Sequence, residues 1–426
     1  ISPQNSFLLL YHKILAVTAA IFYRFPANRL KVIAVTGTKG KSTTVHFIAS
    51  ILREAGHKVG AASTIQFQIG DRIWMNDTKQ TTQGPFFLQK FLREMVTARC
   101  EFAIVEVTSH AMIQSRVWGI NIDAAVLTNI QRDHIEYHGN FENYLHAKGL
   151  LFSLLGRLER KVGIQKTAVL PAEEPNLDYF ETFASDKKLL YGFGKGMIRA
   201  ENIKLSAQGS DFILKVPNNE VEVHINIPGE FNILNALAAA SAAISFGIKL
   251  EAVKKGLESA TEIPGRLEVI KLGQPFTAIV DYAHTIESLE KLLSLFKSLT
   301  KGKLFLVFGA TGGGRDKSKR SEMGAVADKY ADYIVVTDDD PYTEDRMQII
   351  NQVSEGIKRK EGENFWKIRD RRQAIRLALS LAAEGDTVIV AGKGCEPIQI
   401  IGDERIEWDD RKVVREILSS EVKVEL

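Results

Sequence analysis

The stretch KVIAVTGTKGKSTTVHFIASILREAG, residues 31–56, decides the fold. Its opening KVIAVT is apolar and β-branched, the pattern of a buried strand. STTVHFIASILREAG carries apolar residues at helical spacing and stops at Gly56. Between the two lie Gly37, Thr38, Lys39, Gly40, Lys41, Ser42 and Thr43. A strand, a glycine loop and a helix in that order make a phosphate cradle. Backbone N–H groups face an anion at the helix N-terminus, Lys41 can neutralise it, and a hydroxyl of Ser42 or Thr43 can ligate Mg²⁺. The usual phosphate loop sets its first glycine five residues before the second. Here position 35 is Val35 and Gly37 stands three before Gly40, so the loop is a shortened variant.

Outward from this unit the alternation continues. FAIVEV at 102–107, DAAVLTN at 123–129 and TAVLP at 167–171 read as strands of a largely parallel sheet. Between about 190 and 228 the text changes to short alternating strands with PNNE as a turn, which predicts an antiparallel excursion. A helix follows through FNILNALAAASAAISFG to Gly247, with a second over 250–259. Beyond Ile263-Pro264-Gly265 a second series begins with TAIVDYA, KLFLVFGATGGG, DYIVVTDDDP and DTVIVAGKG, which reads as a Rossmann-like domain. The expected fold class is α/β. A short apolar N-terminal helix (1–29) precedes a central P-loop-type parallel-sheet ATPase domain (30–263) and a C-terminal Rossmann-like domain (264–426).

With 426 residues, 45% hydrophobic and 25% charged, the chain suits two or three globular domains. A net charge of +3 gives no field that would announce nucleic acid as partner. Cys100 and Cys395 form neither a disulfide framework nor a zinc pattern, which fits a reducing cytoplasm. Residues 7–23, FLLLYHKILAVTAAIFY, span 17 positions and contain His12 and Lys13, short for a spanning helix. Two readings stay open: a helix packed on the first domain, or an anchor at a membrane. No A-x-A site follows to mark a signal peptide.

Glu106 ends the strand FAIVEV, where a carboxylate points into the crevice that binds ligands, and it is a candidate Mg²⁺ ligand or a buried structural acid. The run from Thr128 to His138, followed by Tyr144, Ala147, Lys148 and Phe152, is dense in polar groups. It reads as a site or as a surface loop.

The ordered motifs GTKGKST (37–43), EVTSHAM (106–112), TNIQRDHIEYHG (128–139), YLHAKGLLF (144–152), GEFNILNALAA (229–239), IPGRLE (263–268), VDYAH (280–284), GGGRDKSKR (312–320), DDDPYTED (338–345), DRRQAI (370–375) and AGKGCE (391–396) resemble those of the Mur ligase family, nearest its tripeptide synthetase (MurE) branch. The resemblance implies an ATP-dependent ligase that activates a carboxylate as an acyl phosphate and joins it to an amine. It implies that Lys148 is carbamylated by CO₂ and holds, with His134, the second of two Mg²⁺ ions, the first lying at Ser42 and Glu106. Asn232, Arg266, Asp281 and His284 resemble contacts to ATP. Thr81, Thr82, Ser109 and Arg116 resemble contacts to a muramoyl-peptide donor. Arg315, Asp339, Asp340, Tyr342, Gly392 and Glu396 fall where the family holds the incoming amino acid. Motion about 260–266 is expected to close the two domains over the acyl phosphate.

Four departures bear on substrates. Gln83 replaces the family's proline after the threonine pair, and Cys395 replaces a histidine. Asp339-Asp340-Pro341-Tyr342 stands where diaminopimelate-adding enzymes read Asp-Asn-Pro-Arg. The missing guanidinium argues for lysine or ornithine, and Asp340 adds a further acid. Only residues 1–29 precede the first strand, where the family has a UDP-binding domain. A donor recognised without UDP, including a lipid-linked one, is therefore expected if nothing larger precedes it. The remaining expectations are a monomer in the cytoplasm, peripheral to the inner membrane face through 7–23. The rivals are another ligase of the family, of the folate, polyglutamate or lipid-linked type, and an ATP-binding scaffold without activity.

Overall fold

The computed structural model describes residues 6–78, 80–133, 135–260, 263–314 and 317–421. The chain divides into two compact units whose main boundary falls at Thr261 and Glu262.

The first unit opens with α1 (Ser6–Phe22), a turn of 3-10 helix over Pro26–Arg29, β1 (Lys31–Thr36) and α2 (Lys41–Glu54). It continues through β2 (Val59–Ala62), the hairpin β3 (Gln66–Ile69) and β4 (Arg72–Met75), α3 (Pro85–Thr97), β5 (Phe102–Glu106), α4 (Ser109–Ile113) and β6 (Ala124–Leu127). Pro85 starts α3 because its fixed φ suits the first helical turn, where its missing N–H has no partner to lose. Next come α5 (Ile135–His138), α6 (Phe141–Arg157), β7 (Thr167–Pro171), α7 (Leu177–Glu181) and β8 (Lys187–Gly192). Asn140 caps α6 by accepting from the Asn143 N–H. The unit is completed by β9 (Ile198–Ser206), β10 (Gly209–Val216), β11 (Asn219–Ile225), α8 (Glu230–Ser245) and α9 (Leu250–Ser259).

These strands form one eleven-stranded sheet in the order β11-β10-β9-β8-β7-β6-β1-β5-β2-β3-β4. β1 lies between β5 and β6, both parallel to it, with Val35 opposite Glu106 and Thr36 opposite Leu127. That register brings the carboxyl ends of β1, β5 and β6 to one edge, where the loops that follow them meet. At the opposite end of β1, the Val32 N–H donates to Asp123 Oδ2 at 2.9 Å. The same carboxylate receives Lys166 Nζ at 2.9 Å on Oδ1 and Lys161 Nζ on Oδ2. Asp123 and Lys166 are fully buried, so this pairing keeps two ionised groups tolerable in the interior.

The second unit contains β12 (Glu268–Ile270), β13 (Thr277–Asp281), α10 (Ile286–Leu299), β14 (Leu304–Phe308), α11 (Lys319–Tyr330), β15 (Tyr333–Val336) and α12 (Arg346–Ser354). It ends with β16 (Phe365–Lys367), α13 (Arg371–Leu381), β17 (Thr387–Ala391), the hairpin β18 (Ile398–Ile401) and β19 (Glu404–Glu407), and α14 (Asp410–Glu421). Its six-stranded sheet runs β12-β13-β17-β14-β15-β16, parallel except at β12. Val280, Val307, Val335, Val388 and Val390 supply one face of its core, and α13 and α14 cover it.

The sheets are those that the alternation in the sequence predicts. The 190–228 excursion contains the antiparallel pair β10–β11, and β9 to β11 extend the first unit's own sheet. Among the described residues no helix is long and apolar enough to cross a membrane.

Candidate active site

The glycine loop turns from β1 into α2 through two left-handed glycines, Gly37 at φ +144° and Gly40 at φ +81°. Side chains are barred there by space as well as by conformation. A Cβ on Gly37 would stand 2.0 Å from Thr128 Oγ1, and one on Gly40 2.2 Å from Asn235 Oδ1. The loop is laced to the segment after β6. Thr38 N donates to Asn129 O at 2.9 Å, Lys39 N to Asn129 Oδ1 at 3.0 Å, and Thr128 Oγ1 to Lys39 O at 2.6 Å. Lys41 folds back over the loop, its Nζ 3.0 Å from Gly37 O and 2.9 Å from Thr38 O.

Ser42, in the first turn of α2, donates to Glu106 Oε2 at 2.9 Å. Glu106 is almost fully buried and also receives the Thr64 N–H at 2.8 Å on Oε2 and the Thr64 hydroxyl at 3.0 Å on Oε1. Thr64 in turn lies 3.0 Å from Thr81 Oγ1. Thr82 donates to Glu106 O at 2.9 Å, and the Thr82 carbonyl accepts from Arg116 Nη1. Three of the four sequence-derived donor residues are thereby tied to the carboxylate strand. Ser109 sits nearby at the start of α4, where its hydroxyl is 3.0 Å from Nε2 of the buried His138.

Lys148 projects from the middle of α6 to the same loop. Its buried Nζ donates to Gly37 O at 2.8 Å and to Thr36 Oγ1 at 3.3 Å. Burial pushes its pKa well below the usual lysine range and the Lys41 charge lowers it further, against the pull of Glu106 and Asp133. One turn earlier, Tyr144 holds Thr38 Oγ1 through its hydroxyl at 2.8 Å. Asn232 and Asn235 lie in the first turns of α8, bonded to each other at 3.2 Å, with Thr44 Oγ1 3.5 Å from Asn235 Oδ1. Thr43 is buried in α2. His134 lies outside the described residues.

The second unit has its own polar cluster. The Arg266 guanidinium stacks over the Tyr282 ring at 4.4 Å. Asp281, whose pKa burial raises, accepts the N–H groups of Leu267 and Ala283 at 2.8 Å each, and His284 Nδ1 is 2.7 Å from Tyr282 O. Asp339 is buried against Gly392, where a Cβ would come within 2.5 Å of its Oδ2, and burial raises its pKa. The Asp340 carboxylate, which the sequence reads as facing the acceptor, is engaged within the protein: Lys393 Nζ reaches it at 2.9 Å and the Ile400 N–H at 2.8 Å. Lys393 also binds Glu396 at 2.8 Å, and Tyr282 donates to Glu396 at 3.2 Å. Burial works to lower the Lys393 pKa, but Asp339, Glu396 and Asp340 outweigh it and hold the ammonium charged. Tyr342 sits at φ +52° with its N–H on Ile400 O at 3.2 Å and its carbonyl on Gly402 N at 2.8 Å. Arg315 lies outside the described residues.

Sequence reading missed Thr64 and Lys393. Thr64 follows a parallel strand beside β5, and position at a strand end was the one available signal. Lys393 lies inside the AGKGCE motif, but nothing in the motif shows that its ammonium joins two acids.

Two family models match the chain, the Mur ligase middle domain over residues 35–243 and the "Mur ligase, glutamate ligase domain" over residues 265–394. UDP-N-acetylmuramoyl-L-alanyl-D-glutamate--2,6-diaminopimelate ligase of Geobacillus kaustophilus is 42% identical over 404 residues, spanning 94% of this chain and 81% of that protein. A solved structure bearing the same enzyme name matches with a TM-score of 0.68 at 32% identity, covering 92% of this chain and 79% of the other. Mycobacterium tuberculosis folylpolyglutamate synthase, solved with ADP, shares the fold at a TM-score of 0.69 and 18% identity, over 90% and 93% of the two chains. Both halves match in order, and a relative is more than 30% identical over most of its own length. The chain belongs to the Mur ligase family.

Proposed function

We propose that the protein is a MurE-like ligase that uses ATP to join a muramoyl-peptide-type donor to a diamino acid, in the synthesis of a peptidoglycan precursor. The observation that carries this reading is the convergence of Lys41, the Ser42–Glu106 pair and Lys148 on one glycine loop.

A donor carboxylate oxygen attacks the γ-phosphorus, the bond to the β-phosphate oxygen breaks, and ADP leaves an acyl phosphate behind. The N–H groups at the start of α2 and the Lys41 ammonium hold the transferring phosphate and its developing charge. Thr81, Thr82, Ser109 and Arg116 orient the donor at the end of β5. The amine of the incoming amino acid then adds to the acyl carbon, loses a proton, and expels phosphate from the tetrahedral intermediate. The oxygen donors Ser42 and Glu106 suit a hard cation. Ser42, Glu106 and a carbamate formed from CO₂ on Lys148, with His134, would hold Mg²⁺, which supplies charge neutralisation between phosphate and acyl oxygens. A neutral, buried amine is the form that reacts with CO₂, and the lowered pKa of Lys148 favours it.

For the acceptor we favour lysine or ornithine. Tyr342 offers a ring where a guanidinium would grip a second carboxylate, and its backbone is fixed to Ile400 and Gly402. Lys393 holds both Asp340 and Glu396, so Asp339 is the acid of this cluster that we assign to a terminal ammonium. The names of the relatives supply the second reading, diaminopimelate. Phosphate release with lysine, ornithine and diaminopimelate, each offered with UDP-linked and UDP-free muramoyl dipeptides, tests both. Preferred use of diaminopimelate overturns the acceptor reading, and no amine-dependent release with any pair overturns the ligase reading.

A further inference from the structure

Helix α1 turns its two sides to different surroundings. At 100° per residue, Ala16, Ala19 and Ala20 fall on one face, and all three are fully buried. The opposite face carries Leu10, Tyr11, Ile14, Ile21 and Phe22, exposed by 57, 56, 55, 60 and 69%. Single exposed apolar residues are ordinary, but five on one side of a helix, interrupted only by the exposed Thr18, mark a surface that another phase or partner covers.

The charge of the chain from the helix to the first strand has one sign. No aspartate or glutamate occurs before Glu54, while Lys13, Arg24, Arg29 and Lys31 all fall within the first 31 residues. Arg24 and Arg29 are exposed directly after the helix. An apolar stripe with two exposed arginines at its end complements an interface of acyl chains and anionic headgroups. Tyr11 adds an amphipathic ring of the kind that settles at headgroup depth.

The buried side of α1 is seated next to the segment that bears Arg116. Lys13 Nζ stands 4.9 Å over the Trp118 ring, a Cβ on Gly119 would meet Ala20 Cβ at 2.6 Å, and the charge of Arg116 acts on His12. The stripe thus lies on the far side of a helix that contacts the segment bearing Arg116.

We propose that the outward face of α1 is a docking surface for an anionic lipid membrane, which brings the donor end of the site alongside the bilayer. At 17 residues, or about 25 Å, the helix is too short to span the hydrocarbon core and lies in the interface plane. The donor assignment rests on the function proposed above, whereas membrane docking stands without it.

The full chain is floated with vesicles of phosphatidylcholine alone and of phosphatidylcholine with phosphatidylglycerol, at low and high salt, beside the Leu10→Glu/Ile14→Glu variant. The expected result is association with the anionic vesicles, weakened by salt and reduced about tenfold or more in the variant. Both substituted positions are exposed, and amine-dependent phosphate release by the variant shows that it is folded. Absence of flotation, or equal flotation of the two proteins, overturns the proposal. A dimer in light scattering that the same substitutions dissolve also overturns it, by giving the stripe to a second copy. Flotation is read without catalysis, so its failure leaves the ligase reading untouched, and loss of ligase activity leaves docking untouched.

Discussion

The ammonium nitrogen of Lys148 lies 2.8 Å from the carbonyl oxygen of Gly37. A side chain from the middle of α6 therefore reaches the glycine loop over a separation of 111 residues in sequence. That contact places a buried amine of lowered pKa within the loop that is expected to hold ATP.

Replacing Lys148 with Met or Arg removes the amine that can take up CO₂. Turnover is expected to fall by about 10²-fold or more. In the wild type, phosphate release should drop when CO₂ is depleted and return with bicarbonate, while the variants ignore both. Because the lysine pKa lies well below its usual range, the neutral form persists to lower pH than on a surface lysine. Bicarbonate-dependent activity is then lost as pH falls through that lowered value, which a pH profile at fixed CO₂ reads.

Glu106→Gln keeps the shape of the side chain but turns one acceptor into a donor facing the Ser42 and Thr64 donors. The Thr64 hydroxyl must then turn its proton to Thr81, and the bonds that remain lose their charged acceptor, at a cost of about 1–3 kcal/mol. Thermal unfolding should show that loss, and phosphate release should fall by roughly 10²–10³-fold.

Gly40→Ala forces a side chain into a left-handed residue and against Asn235. The strain is expected to cost about 1–3 kcal/mol and to raise the KM for ATP. Adding Asn235→Ala should return part of the stability, since it relieves the close contact and leaves the backbone conformation. A double-mutant cycle in denaturant measures the coupling.

Lys393→Met leaves Asp340 and Glu396 facing each other without their shared cation. Removing one partner of a buried pair costs about 3–5 kcal/mol, so the melting temperature should drop by several degrees. If the two acids line the acceptor pocket, the KM for the amino acid rises more than kcat falls.

Glu344 is held at a pKa of about 2 first by its hydrogen bond from Arg320, which is 3.0 Å away. Its folded value lies below the unfolded one near 4.5, so its stabilising contribution is complete above pH 4.5 and disappears as pH falls toward 2. Wild type and Glu344→Gln should differ in denaturant midpoint at pH 7 and converge as pH falls to about 2.

Much of this was legible in the chain because the signals are local. The strand, loop and helix of 31–56 announce themselves by periodicity, and Asn218 in the PNNE turn takes the positive φ of +64° that such a turn requires. Long-range choices left no such mark. Nothing in β9 to β11 says that they add to the first sheet, because pairing partners are chosen by packing. Thr64 is one threonine among many until β2 aligns with β5. Asp340 reads as an available acid until Lys393, 53 positions away, claims it. Tyr342 gives no sign of its left-handed backbone, which its bonds to Ile400 and Gly402 enforce.

The Asp123 clamp has a kinetic consequence. Two lysines and the Val32 amide converge on one interior carboxylate at the amino end of β1, and β5 and β6 flank that strand on both sides. Amide protons along β1 should therefore exchange with solvent only when the whole first unit opens, while the outlying β10–β11 ribbon breathes on its own. The glycine loop hangs from the last segment to let go, so partial melting elsewhere leaves it in place.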